Sequence, residues 1–304
     1  MDRLPRINLL SGICSSLVLV MAVIIGINRP KRITRVSLRL QAAIAFINMA
    51  RSFQASRNFK TSDSICNFIG FVTLLNDHTY LFLNVAIAAN LHRVQLKSQQ
   101  PSSWWEPCLW AAAFLSPIII NGLAFAAGVF GRTSLNTCAI PSSTTLRLSA
   151  KIILQYLIIF PCILYCLLIS LCVLFRREPP GLRAFPSARR AACIVAIVPI
   201  VCVLTLTASL VNELALDFSS DPIPLLKYIT YVLSNSAGVL GLITFVFDPG
   251  FLYAFGRYRY FEFELKSKGD PFQTITPPNP TDLISVTSID PIAFDQYRKC
   301  KNLL

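Results

Sequence analysis

Asn76, Asp77 and His78 stand side by side inside a long apolar run, with Thr73 one helical turn before Asp77. On a helix rising 1.5 Å per residue they lie about 16–18 Å beyond Cys66, near the middle of a bilayer. Ionisable groups at that depth are expensive and face a ligand path or another polar group. Two roles are therefore open: contact with a ligand, or a clamp between helices with Arg39 or Asn235 as partner of Asp77. Glu213, Tyr228 and Tyr231, with Lys227, sit near the ends of two later apolar runs. They either line a vestibule or rest at the membrane surface.

Enzymatic arrangements are thin. The only histidines are His78 and His92, which excludes an H-E-x-x-H zinc helix. No Gly-rich phosphate loop and no G-x-S-x-G elbow occurs. Cys162 and Cys166 are one turn apart but have no histidine nearby, so they read as small apolar fillers. Lys227 lies at the edge of its run and the next lysine is Lys266, which disfavours a deep retinal Schiff base. No catalytic residue, cofactor or metal is expected.

Those residues need elements to carry them, and seven apolar stretches are available: 7–27, 36–51, 65–91, 105–127, 148–175, 191–214 and 225–247. A bilayer crossing needs about 20 apolar residues. The chain is 54% apolar and only 14% charged, against about 25% charged in soluble domains. Backbone polar groups in lipid must be satisfied within the segment, so the stretches are expected to be helices. The expected fold is an all-α membrane protein, a seven-transmembrane helix bundle. The second stretch is the weakest, because Arg39, Gln41, Asn48 and Arg51 interrupt it. Pro117, Pro161 and Pro199 fall inside spans, where a missing amide kinks a helix.

The net charge of +13 raises nucleic-acid binding, but the basic residues sit in loops rather than on one face. Alternate loops and the start of the tail hold 15 of them against 6 on the other side. The positive-inside rule then puts the N-terminus outside and the C-terminus in the cytoplasm, with the chain in the plasma membrane. The first stretch is expected to be a signal anchor rather than a cleaved leader. In this topology Cys66 and Cys138 are the two cysteines placed on the oxidising side, and a disulfide between them is expected. Phe251, Phe255, Tyr258 and Phe261 recur at helical spacing, so 251–266 is expected to be a short amphipathic eighth helix on the inner leaflet. The bundle is thus residues 1–266. Residues 267–304, polar and Pro-rich, form an expected disordered tail.

Seven spans, an outside N-terminus, the Cys66 and Cys138 pair, an arginine-rich third inner loop and an eighth helix together resemble a G-protein-coupled receptor. Asn90-Leu91-His92-Arg93-Val94 is similar to the N-L-H run of the fungal and slime-mould cyclic-AMP-receptor and secretin-like group. Asp248-Pro249 is similar to the motif closing the seventh span, and Ser236-Ala237-Gly238 to the Q-G motif before it, without its glutamine. The resemblance implies a receptor with an extracellular ligand, a heterotrimeric G protein and membrane lipids as partners. Ligand contacts would fall on Thr73, Asp77, His78, Glu213, Tyr228 and Tyr231. G-protein contacts would fall on Arg93, Lys97, Arg183, Arg189 and Arg190. The alternative is a transporter or channel that uses Asp77, His78 and Arg39 as a polar pathway.

Overall fold

A computed structural model describes residues 4–28, 36–55, 62–93, 104–133, 138–141, 144–175, 186–218, 224–248 and 251. Among them run seven long helices: α1 (Leu4–Asn28), α2 (Val36–Ala55), α3 (Asp63–Leu91), α4 (Trp105–Ala126), α5 (Thr145–Phe175), α6 (Pro186–Phe218) and α7 (Pro224–Phe247). They match the seven apolar stretches to within a few residues. Five of them, all but α2 and α3, are long and apolar enough to cross a membrane, which is compatible with a multi-pass membrane protein. The expected eighth helix and tail lie outside the described residues, apart from the buried Phe251.

The two helices that miss the apolar criterion are polar for a reason visible in the packing. α3 packs against α2, α4, α5 and α6, and α2 against α1, α3 and α7. Thirteen of the 29 residues of α3 are buried, against four of the 22 in α4. An enclosed helix meets protein rather than lipid, so its Asn76, Asp77, His78 and Asn84 can be paired instead of excluded. The outer helices show the reverse. Leu17 and Val20 of α1, Leu115 and Ile119 of α4, and Phe160 and Leu168 of α5 all point away from the bundle. Such continuous apolar faces call for an apolar surrounding.

α7 returns to α1 and closes the ring α1-α2-α3-α5-α6-α7, with α4 leaning on α3. The closure is tight: the Gly238 amide donates to Ser11 Oγ at 3.1 Å. A Cβ at Gly238 would collide with the Ser11 carbonyl and with the Ser11 and Ser15 hydroxyls. One apolar cluster joins α2 to α6 around Leu81, Leu83 and Cys202, and a second joins α1, α2 and α7 around Val18, Leu38 and Phe245.

At one end a two-stranded hairpin, β1 (Gly131–Arg132) and β2 (Cys138–Ala139), pairs antiparallel between α4 and α5. The expected disulfide is present: Cys66 of α3 is bonded to Cys138, with their Cα atoms 5.1 Å apart. Phe130 seats the hairpin on Phe71 and Phe125 at ring distances of 6.1 and 6.3 Å. Gly70 allows this seating, since a side chain there would press on Phe130 and the Cys138 backbone.

α5 is not uniform. A π-helical segment, Ile152–Leu157, interrupts it just before Pro161. Pro161 has no amide to give the Leu157 carbonyl and its ring crowds that carbonyl, so a widened turn here has a local cause.

Gly238→Ala is expected to cost about 1–3 kcal/mol through overpacking, read as a lower melting temperature in detergent. Gly241→Ala, whose Cβ meets nothing within 4 Å, should be neutral or stabilising. Cys66→Ser should lower stability on the order of 2–4 kcal/mol, and non-reducing mass mapping of the native chain should recover the Cys66–Cys138 peptide pair.

Candidate functional site

Asp77 and His78 are adjacent on α3 and face neighbouring sides of it. Asp77 Oδ1 accepts from Arg51 Nε of α2 at 2.9 Å. The Arg51 guanidinium also lies over the Tyr80 ring, 5.0 Å from its centroid. This corrects the expected partner: it is Arg51, not Arg39 or Asn235. The physical reason is register. Arg39 lies twelve residues earlier on α2, about 18 Å away along the axis, and α2 runs antiparallel to α3. Arg39 instead donates to Glu106 of α4 at 2.6 Å. The Asp77 and Arg51 side chains keep 29% and 20% exposure, so the pair is reachable rather than sealed.

His78 is fully enclosed and both ring nitrogens are engaged. Asn121 Nδ2 of α4 donates to Nδ1 at 2.9 Å, and Nε2 donates to the Leu154 carbonyl of α5 at 2.9 Å. The Leu154 carbonyl can only accept, so Nε2 carries a proton, while Nδ1 lies within reach of both atoms of the Asn121 amide, Oδ1 at 3.2 Å and Nδ2 at 2.9 Å. Leu154 lies in the π segment, where the Ile158 amide bonds Ile153 rather than Leu154. The usual donor to Leu154 has thus moved on, and the histidine takes its carbonyl. Asn121 Nδ2 is also held by the Pro117 carbonyl at 2.8 Å. The Pro117 carbonyl of α4 therefore helps hold one of the groups that grip His78.

The other expected ligand contacts are spread around this end. Thr73 Oγ1 donates to the Ile69 carbonyl at 2.8 Å, within its own helix. Tyr231 is hydrogen-bonded to the Asn8 side chain of α1, and Tyr228 is exposed. Glu213 and Lys227 ride on α6 and α7, with side chains outside the described residues. So Asp77 gathers Arg51 and, through it, Tyr80, and His78 gathers Asn121 and Leu154, while Thr73 bonds within its own helix.

The opposite end carries cross-helix ties. Besides Arg39–Glu106, Gln41 Nε2 of α2 donates to Asp248, just past α7, at 2.9 Å. His92 meets the Tyr165 hydroxyl of α5 at 3.2 Å. Arg93 stacks on the Trp105 ring of α4, 4.6 Å from its centroid. Of the other expected G-protein contacts, Lys97 and Arg183 lie outside the described residues, and Arg189 and Arg190 are on α6 with side chains outside them. No group of three or more His, Cys, Asp or Glu residues among the described residues could hold a metal ion.

Arg51 is the partner of Asp77 that the sequence did not single out, since it stood there as an interruption of the second stretch and as part of the Ala50-Arg51-Ser52 run. The sequence showed two arginines on α2, with Asp77 in mid-α3 and Glu106 at the start of α4, but which pairs with which depends on the relative height of the helices. No protein-family model and no curated protein matches the chain.

Removing the charge of Asp77 strands Arg51. Asp77→Ala should cost about 2–3 kcal/mol, between the values of exposed and buried pairs. The double variant Asp77→Leu/Arg51→Met should recover most of it, and a thermal double-mutant cycle measures the coupling.

Proposed function

We propose that this chain is a seven-transmembrane receptor that passes an extracellular chemical signal to a heterotrimeric G protein. The observation that carries the reading is a seven-helix bundle in which six helices close a ring, α4 leans on the heavily buried α3, and Cys66–Cys138 staples one end. α2 and α3 count as spans in this reading because their polar groups are spent on each other and on α4 and α5. The charge asymmetry of the loops makes the disulfide end extracellular.

The two ends then have different tasks. Towards the outer half, Asp77 in the middle of α3 and Arg51 form a reachable polar pair, with Thr73, Tyr228 and Tyr231 nearer the mouth and His78 fixing α3 to α4 and α5. A ligand that binds one arrangement of this mouth better than another shifts the population of the whole bundle. At the inner end, Arg39–Glu106, Gln41–Asp248, His92–Tyr165 and Arg93–Trp105 hold the helices together. Movement of α6 about Pro199 would open a cleft beside Arg93, Arg189 and Arg190 for the G protein, and coupling makes the effect reciprocal. The transporter reading has less support among the described residues: Arg39 is tied to Glu106, about 18 Å along α2 from Arg51, and His78 is enclosed.

The test is nucleotide exchange on a co-expressed G protein, with surface expression measured in parallel. Arg93→Ala at normal surface level should lower exchange at least tenfold. Unchanged exchange would remove Arg93 from the coupling surface. Substrate uptake or current that depends on Asp77 would overturn the receptor reading itself.

A further inference from the structure

Between α1, α2, α6 and α7 lies a small cavity lined by Ser15, Gln41, Asn48, Val198, Gly238 and Gly241. It admits the centre of a water molecule over about 10 Å³, at the low end of the roughly 10–15 Å³ that one water needs. The lining is not uniformly apolar. Ser15 and Gln41 are 1% and 5% exposed. Among the described residues, neither Ser15 Oγ nor Gln41 Oε1 meets a hydrogen-bond partner. Asn48, 4% exposed, lines the same space.

Two residues on different helices line this void and each carries an unmet polar atom, which constrains what fills it. Gln41 Oε1 only accepts, so the occupant must donate to it. Ser15 Oγ can donate or accept, and Asn48 offers both functions. The occupant is therefore small and both donor and acceptor. It is also neutral. The nearby carboxylate, Asp248, accepts from Gln41 Nε2 and is not among the residues that line the cavity. A cation would enter without a counter-charge and would lose its hydration with little return.

We propose that this cavity binds one ordered water molecule, which bridges Ser15 of α1 to Gln41 of α2 against the glycine face of α7. Gln41 then has both ends of its amide satisfied, one by Asp248 and one by the water. The Asp248 contact is thereby extended through Gln41 to α1. The site stands whether or not the chain couples to a G protein.

The sign of one substitution separates a wet cavity from a dry one. With water bound, Ser15→Ala removes a made hydrogen bond and should lower the melting temperature of the purified full-length protein by a few degrees. With a dry cavity it removes an unmet hydroxyl, and stability should hold or rise. X-ray radiolytic hydroxyl labelling in H₂¹⁸O supplies the second measurement. Ile44 and Val198, which line the cavity, should be labelled with ¹⁸O incorporation slower than at exposed residues, and Ser15→Ala should cut that labelling several-fold. Absence of label at both residues in the native chain, or a Ser15→Ala protein as stable as the parent, would overturn the proposal.

Discussion

A polar side chain inside an apolar bundle has no water to turn to, so it must find another protein group, and that requirement orders this molecule. Arg51 is satisfied by Asp77, Arg39 by Glu106, Gln41 by Asp248, and His78 by Asn121 and a carbonyl of α5. Each pairing joins two helices that apolar contact alone would allow to slide. Apolar packing among Leu, Ile and Val is tolerant of small shifts. A guanidinium that must meet one carboxylate is not. The polar pairs therefore set the axial register, and the apolar clusters fill in around it.

α3 bears most of this load. It carries the disulfide at one end, the Asp77 and His78 contacts in its middle, and the His92 and Arg93 contacts at the other. Its neighbours are α2, α4, α5 and α6, so a change at one end of α3 is felt by four other helices. α1 and α7 stand apart from it and are tied to each other instead, through the close approach at Gly238. The bundle thus has an axle and a clasp, built by different means: charge and hydrogen bonding for the first, absence of a side chain for the second.

Much of this was legible in the sequence. The seven stretches became seven helices because long apolar runs have few alternatives, and the Cys66–Cys138 bond followed from placing both residues at one end. Partner choice was not legible. Asp77 could be seen to need a partner, but choosing between Arg39 and Arg51 requires the relative height of two antiparallel helices, and loop lengths do not give it. The state of His78 was hidden for a related reason. One of its two partners is a backbone carbonyl whose availability depends on a π turn, and no side chain in 152–157 announces that turn. Pro161 hints at it, but a proline is equally compatible with a simple kink.

That π turn has a consequence for the length of α5. A π turn takes up more residues than an α turn for the same advance along the axis. Between Thr145 and Phe175 the chain therefore stores surplus backbone, held in place by the grip of His78 on Leu154. Resorbing the wide turn into ordinary helix would drive the Tyr165 half of α5 lengthwise and rotate it, while the half beside the hairpin stayed still. A helix of fixed pitch can only tilt or translate as a whole; this one holds a spare residue with which it can extend.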